Sequence, residues 1–102
     1  MKNLIISENK KIYKYAIDGE YLYYEGKYKQ ALALFNKAIK LEPNNDMLYS
    51  SRCKINMALK NYKQAHKDIE MALKLQPNVN KYKNLEKELE NYIYIMHITE
   101  KA

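Results

Sequence analysis

One stretch of this chain occurs twice at a fixed distance. Tyr28-Lys29-Gln30-Ala31 leads to Lys40-Leu41-Glu42-Pro43-Asn44, and 34 residues later Tyr62-Lys63-Gln64-Ala65 leads to Lys74-Leu75-Gln76-Pro77-Asn78. Laid over 46–79 without a gap, segment 12–45 gives ten identities, at 15/49, 28/62, 29/63, 30/64, 31/65, 38/72, 40/74, 41/75, 43/77 and 44/78. A repeat of this length implies one supersecondary unit that buries its apolar face only by stacking on its neighbour.

The spacing of apolar residues makes each unit a pair of helices. Ser7 is the first plausible N-cap, with Glu8 favourably placed in the first turn. From there Ile12, Tyr15, Gly19, Leu22 and Tyr23 mark one helical face. Gly19 costs about 1 kcal/mol relative to Ala inside a helix, which is tolerable where a second helix crosses closely. Gly26 supplies the left-handed residue that ends the segment. The second helix spans about 27–41, with Ala31, Leu34, Phe35, Ala38, Ile39 and Leu41 as its stripe, and Pro43 stops it.

Asn44-Asn45-Asp46 offers a cap for a third helix carrying Leu48, Tyr49, Cys53, Met57 and Leu59. Asn61 and Gln64 suggest a capping box for the fourth, whose stripe is Ala65, Ile69, Ala72, Leu73 and Leu75, closed by Pro77. A last helix carries Leu85, Leu89, Tyr92, Ile93 and Met96 and has no partner helix, as expected of a cap on a stack. The expectation is an all-α chain of five helices: 1–11 an extension of the first helix, 12–45 and 46–79 the two units, and 80–102 a capping helix and tail.

These residues resemble the tetratricopeptide repeat (TPR) family. The first unit matches through Tyr15, Gly19, Leu22 or Tyr23, Tyr28, Ala31, Phe35, Ala38 and Pro43. The second matches through Tyr49, Cys53, Met57, Tyr62, Ala65, Ile69, Ala72 and Pro77. Two departures are mild: Cys53 stands where Gly or Ala is usual, and Lys60 replaces the turn glycine. Tyr15, Tyr28, Tyr49 and Tyr62 are read as packing residues alone. The resemblance implies an α-solenoid whose inner surface holds a short peptide segment of a partner protein. Carried onto this chain, the groove positions are Tyr13, Ala16, Ile17, Glu20, Tyr23 and Tyr24 on the first helix. The third helix adds Met47, Ser50, Ser51, Lys54 and Met57, and the last adds Lys81, Asn84 and Glu88.

Leu48-Tyr49-Ser50-Ser51-Arg52-Cys53 looks like the co-chaperone branch of the family, which clamps the acidic carboxyl-terminal tails of chaperones. The clamp's Lys, Asn and Arg positions fall here on Ala16, Glu20, Ser51, Lys81 and Leu85. Only Lys81 matches, and Glu20 would repel a carboxylate. Tight binding of such tails is therefore not expected. The alternative function is self-association through the apolar excess of the last helix at Tyr94, Ile95 and Ile98, since two units fall short of the ~3 usually needed for independent stability.

Other chemistry finds little support. Seventeen of the eighteen basic residues are lysines, scattered among acidic ones, so the net charge of +6 reads as solubility rather than nucleic-acid binding. No apolar run approaches a membrane span of ~18–20 residues, and Leu4-Ile5-Ile6 is too short for a secretion signal core of ~7–15. The single cysteine, Cys53, permits no internal disulfide and no thiolate cage. It lies on an apolar helix face, which favours an inert thiol in a reducing, cytoplasmic compartment. His66 and His97 fall in different helices with no ligand expected beside either. Two glycines leave no phosphate-binding loop. The expectation is a non-enzymatic protein without metal or cofactor.

Overall fold

The computed structural model describes residues 2–101, with side chains described for 10–97. Five helices follow one another: α1 (Lys2–Tyr24), α2 (Tyr28–Leu41), α3 (Asp46–Ala58), α4 (Tyr62–Leu75) and α5 (Asn80–Lys101). No strand occurs among the described residues. α1 packs on α2 and α3 on α4 as two hairpins, α2 meets α3 to stack one hairpin on the next, and α5 lies on α4.

The two hairpin turns solve the same problem with different residues. The turn must take a positive φ, and Gly26 does so at 81°. Its counterpart is Lys60, at φ 62° the one non-glycine in that region among the described residues. Each turn is closed by the same bond, Lys27 N–H to the Leu22 carbonyl at 2.8 Å and Asn61 N–H to the Asn56 carbonyl at 2.8 Å.

Helix starts differ from expectation in two places. α1 begins at Lys2, so Ser7 lies inside the helix rather than capping it; no Gly or Pro between 2 and 18 interrupts helix growth. Asn61 makes no side-chain cap bond, and Gln64 reaches forward, its Nε2 donating to Asp68 Oδ1 at 3.3 Å. The capping box is therefore absent: the Asn61 N–H that the Gln64 side chain would accept from already donates to the Asn56 carbonyl. Asn45 does cap α3, its Oδ1 accepting from Met47 N–H at 3.0 Å.

The core runs as one seam through both units. Ala31, Phe35, Ala38, Leu48, Cys53, Ile55, Ala65, Ile69 and Ala72 are buried, and Tyr82, Leu85 and Leu89 of α5 extend the seam. A Cβ at Gly19 would sit 2.7 Å from Phe35 Cε2, so the missing side chain is what lets the phenyl ring lie against α1. Leu41 is exposed instead of closing the α2 stripe. On α5 the described side chains beyond Leu89 are exposed. Among them are Tyr92, Ile93 and Met96, expected on its packed face: Tyr92 meets Tyr62 at the start of α4, and the helix runs on past it.

A polar cluster fastens α3 to α4. Asp68 is 1% exposed, and Arg52 forks onto it, Nε donating at 3.1 Å to both carboxylate oxygens and Nη2 to Oδ1 at 2.7 Å. Asn56 Nδ2 donates to Asp68 Oδ2 at 2.9 Å. Arg52 Nη1 also donates to Asn36 Oδ1 on α2 at 3.1 Å, tying the first unit to the second. The carboxylate thus has the cation and additional donors that a buried charge requires.

Candidate peptide-binding face

Among the described residues, the face formed by α1, α3 and α5 holds two cavities. The upstream one, about 600 Å³, lies between the stretch of α1 from Ile12 to Glu20 and the start of α3. Tyr13, Ala16, Ile17, Glu20, Met47 and Ser51 line it, together with Ile12, Phe35, Glu42, Asn45 and Leu48. The downstream one, about 440 Å³, is lined by Tyr23, Tyr24, Lys54, Met57 and Glu88, with Ala58, Tyr62, Leu85 and Tyr92. A gap of about 10 Å³ adjoins both, bounded in part by Glu20, Ser51 and Lys54. There Ser51 Oγ donates to Glu20 Oε1 at 3.4 Å, pinning α1 to α3 between the cavities.

Helix geometry explains this arrangement. Residues three and four apart share a helical face, so Tyr13, Ile17 and Glu20 descend one side of α1, and Met47, Ser51 and Lys54 one side of α3. The backs of these helices are committed to the seam through Gly19, Cys53 and Ile55. Ile17 and Met47 remain 58% and 62% exposed.

Three groove expectations are not met in this form. Ser50 is 3% exposed and faces the packed side of α3, since it lies one position, about 100° of helical turn, from Ser51. Lys81 and Asn84 are exposed but line neither of the two cavities. Tyr82 turns inward on α5, its hydroxyl donating to Asp46 Oδ2, while Lys81 shares a helical side with Leu85 and Glu88 but stands a turn before the residues that line the downstream cavity. Tyr94 and Ile95 are exposed, and the side chain of Ile98 lies outside the described residues.

Several lining residues escaped sequence reasoning. Glu42 and Asn45 come from the α2–α3 loop, which an antiparallel hairpin returns to the middle of α1. That signal was available. Tyr62, expected only to pack, stacks on Tyr92 with ring centroids 6.5 Å apart and walls the downstream cavity. Tyr23 meets Tyr24 edge-on at 5.4 Å, and burial first, then the neighbouring Tyr28, Tyr24 and Glu88, raises its pKa.

Away from this face, reactive groups are quiet. Cys53 is buried, and its thiol is pushed up to about 12 by desolvation, then by Asp68 and Glu88. A thiol so held is not a nucleophile at neutral pH. His66 does have a carboxylate beside it, against expectation: Nδ1 lies 3.0 Å from Glu70 Oε1, an exposed i,i+4 pair. No group of three or more His, Cys, Asp or Glu suited to a metal ion occurs among the described residues. Among them, too, no helix is long and apolar enough to cross a membrane.

The model of the tetratricopeptide repeat family matches residues 22–89, two thirds of the chain. The chain belongs to the tetratricopeptide repeat family. Solved TPR domains share its fold. The Sgt2 TPR domain of Aspergillus fumigatus matches with a TM-score of 0.78 at 20% identity over 81% of this chain, which spans only 55% of that domain. The second TPR of Spaghetti (RPAP3), bound to the HSP90 peptide SRMEEVD, matches with a TM-score of 0.77 at 18% identity, over 93% of this chain and 90% of that one. The second TPR domain of human RPAP3, in complex with the HSP70 peptide SGPTIEEVD, matches at 0.78 and 18% identity, over 92% and 78%. At such identities the likeness is one of fold.

Proposed function

We propose that this TPR chain is a non-enzymatic interaction module that holds a peptide segment of a partner protein along its α1–α3–α5 face. The observation that carries the reading is the pair of cavities on that face, whose walls retain large exposed side chains: Tyr13, Ile17, Tyr24 and Met47. Tyrosine and methionine are suited to such contacts, the first by rigid area and the second by easy repacking. That two structural neighbours bind chaperone peptides supports a peptide as ligand.

Their acidic EEVD ends are a poor match for this face. Glu20 occupies the gap between the cavities, Glu42 rims the upstream one, and Lys81 lies outside both. In calorimetry SRMEEVD should not reach submicromolar affinity, and a submicromolar Kd would remove this point. Self-association through Tyr94 and Ile95 has only their exposure behind it and is not favoured.

The test is selection from a displayed random-peptide library, followed by anisotropy on a selected peptide. Tyr24→Ala combined with Met57→Ala should weaken binding by about tenfold or more with little change in the thermal melt. Undiminished affinity in that variant would sink the reading.

A further inference from the structure

We infer that the upstream cavity selects a partner segment bearing a large apolar side chain beside a lysine or arginine. This deepens the proposed function and rests on it. The chain is basic, with 18 Lys and Arg against 12 Asp and Glu, so a cavity taken at random would hold more cations than anions. The upstream cavity departs from that background: its charged lining residues are Glu20 and Glu42, with no cation between them. The downstream cavity is balanced by Lys54 and Glu88.

Both carboxylates are oriented by neutral donors. Ser51 Oγ holds Glu20 Oε1 at 3.4 Å, and Asn45 Nδ2 holds Glu42 Oε2 at 3.2 Å. Among the described residues neither Glu20 nor Glu42 takes part in an ion pair; the pairs formed are Lys14–Asp18, Lys27–Glu25, Arg52–Asp68 and His66–Glu70. Each of the two keeps a second oxygen outside its named hydrogen bond. The remaining lining is largely apolar, from Ile12, Ala16, Ile17, Phe35, Met47 and Leu48. An apolar side chain entering there displaces water from around the two carboxylates. That strengthens their attraction for an adjacent ammonium or guanidinium and their repulsion of a carboxylate. A neutral apolar segment would leave two partly desolvated anions uncompensated.

The experiment uses the full chain and end-blocked, fluorescein-labelled peptides of about ten residues with a central Leu flanked by Lys, Gln or Glu. The Lys series should bind about five- to tenfold tighter than the Glu series at about 0.1 M salt, where the screening length is about 10 Å, and should lose that preference near 1 M. Glu20→Gln with Glu42→Gln keeps one acceptor oxygen at each position and the shape, and should bring the series within about twofold of one another. Glu70→Gln, which removes one negative charge on α4 instead, should leave the preference intact. Equal or tighter binding of the Glu series, or a Lys preference that survives the double Gln variant, would overturn the inference. If the charged series fail to bind while a library-selected peptide still loses affinity in the Tyr24→Ala/Met57→Ala variant, the inference falls and the proposed function stands. Loss of all peptide binding overturns both.

Discussion

The two hairpins have the same outline and are held shut by different forces. At one register position the first unit pairs Gly19 with Phe35, and 34 residues on the second pairs Cys53 with Ile69. The first solution is nothing plus a large ring, the second two medium side chains, and all four residues are buried. Polar fastening differs more. The second unit carries Arg52, Asn56 and Asp68 in a satisfied network, where the first has Asp18, Leu22 and Leu34. A repeat therefore conserves shape and volume between units while leaving the chemistry free to vary.

The strongest way to break this comparison is to unpair the network. Arg52→Ala leaves Asp68 with Asn56 and Gln64 but no cation, and should cost about 3 kcal/mol or more. At about 4–8 °C per kcal/mol for a domain of this size, the fall in Tm is large. Copying the first unit's two leucines with Asn56→Leu and Asp68→Leu, and filling the guanidinium's place with Arg52→Met, should recover most of it. A triple variant no more stable than Arg52→Ala in denaturant titration would mean that the network's geometry matters beyond its charge.

The first unit is tested at its own joint. Gly19→Ala drives a methyl to 2.7 Å from the Phe35 ring, so the helices must part or the ring must leave its rotamer, at about 1–3 kcal/mol. Gly19→Cys with Phe35→Ile imports the second unit's solution and should be milder than Gly19→Ala alone. If it is worse, the two joints are not interchangeable and the comparison fails at that level.

How much of this was legible follows from what periodicity encodes. A 34-residue period, two prolines in register and helical spacing are local signals, and they specified five helices and the stacking of two hairpins. The groove helices followed from the resemblance, but the gap between the two cavities brings together Glu20, Phe35 and Ser51 from three helices, with Ser51 bonded to Glu20, 31 residues away in sequence. Asp68 is more instructive. It sits at i+3 from Ala65 and one before Ile69, inside the apolar stripe of α4. That position was a readable sign of a buried charge, though its partner could not be named without the fold. Ser7 and Asn61 erred in the opposite way. Residues that favour caps were read as caps, but other starts and other bonds won.

The pH dependence separates the units without altering any residue's size. Gly19 has nothing to titrate, whereas the folded chain holds the Cys53 thiol near 12 against an ordinary value of 9.0. A raised acid pKa means the folded state resists losing a proton that the unfolded chain gives up. Its contribution is intact below about 9 and is lost as pH rises from there toward 12. One unit above 9 that amounts to roughly 1.4 kcal/mol. Tyr82, raised by burial and then by its bond to Asp46, adds a loss of the same sign at higher pH. Denaturant titrations at pH 8 and 10 should show the decline, and Cys53→Ala should flatten it. An unchanged slope in that variant would place the titration elsewhere.

The smallest expected effect lies at the turns, where the comparison can be sharpened in either direction. Both turns need a left-handed residue, and Lys60 adopts φ 62° where Gly26 adopts 81°. An L side chain in that region costs about 1 kcal/mol, and a Cβ at Gly26 would meet no atom within 4 Å. Crowding therefore does not enter, and only backbone strain is measured. Lys60→Gly removes the strain but gives the unfolded chain more freedom, so the gain should be a few tenths to about 1 kcal/mol. Gly26→Lys should lose a similar amount. Opposite signs in thermal melts would mean that the two turns are one device with two sequences. If Lys60→Gly destabilises, the lysine side chain contributes something at the second turn that glycine cannot replace, and the units differ there in kind.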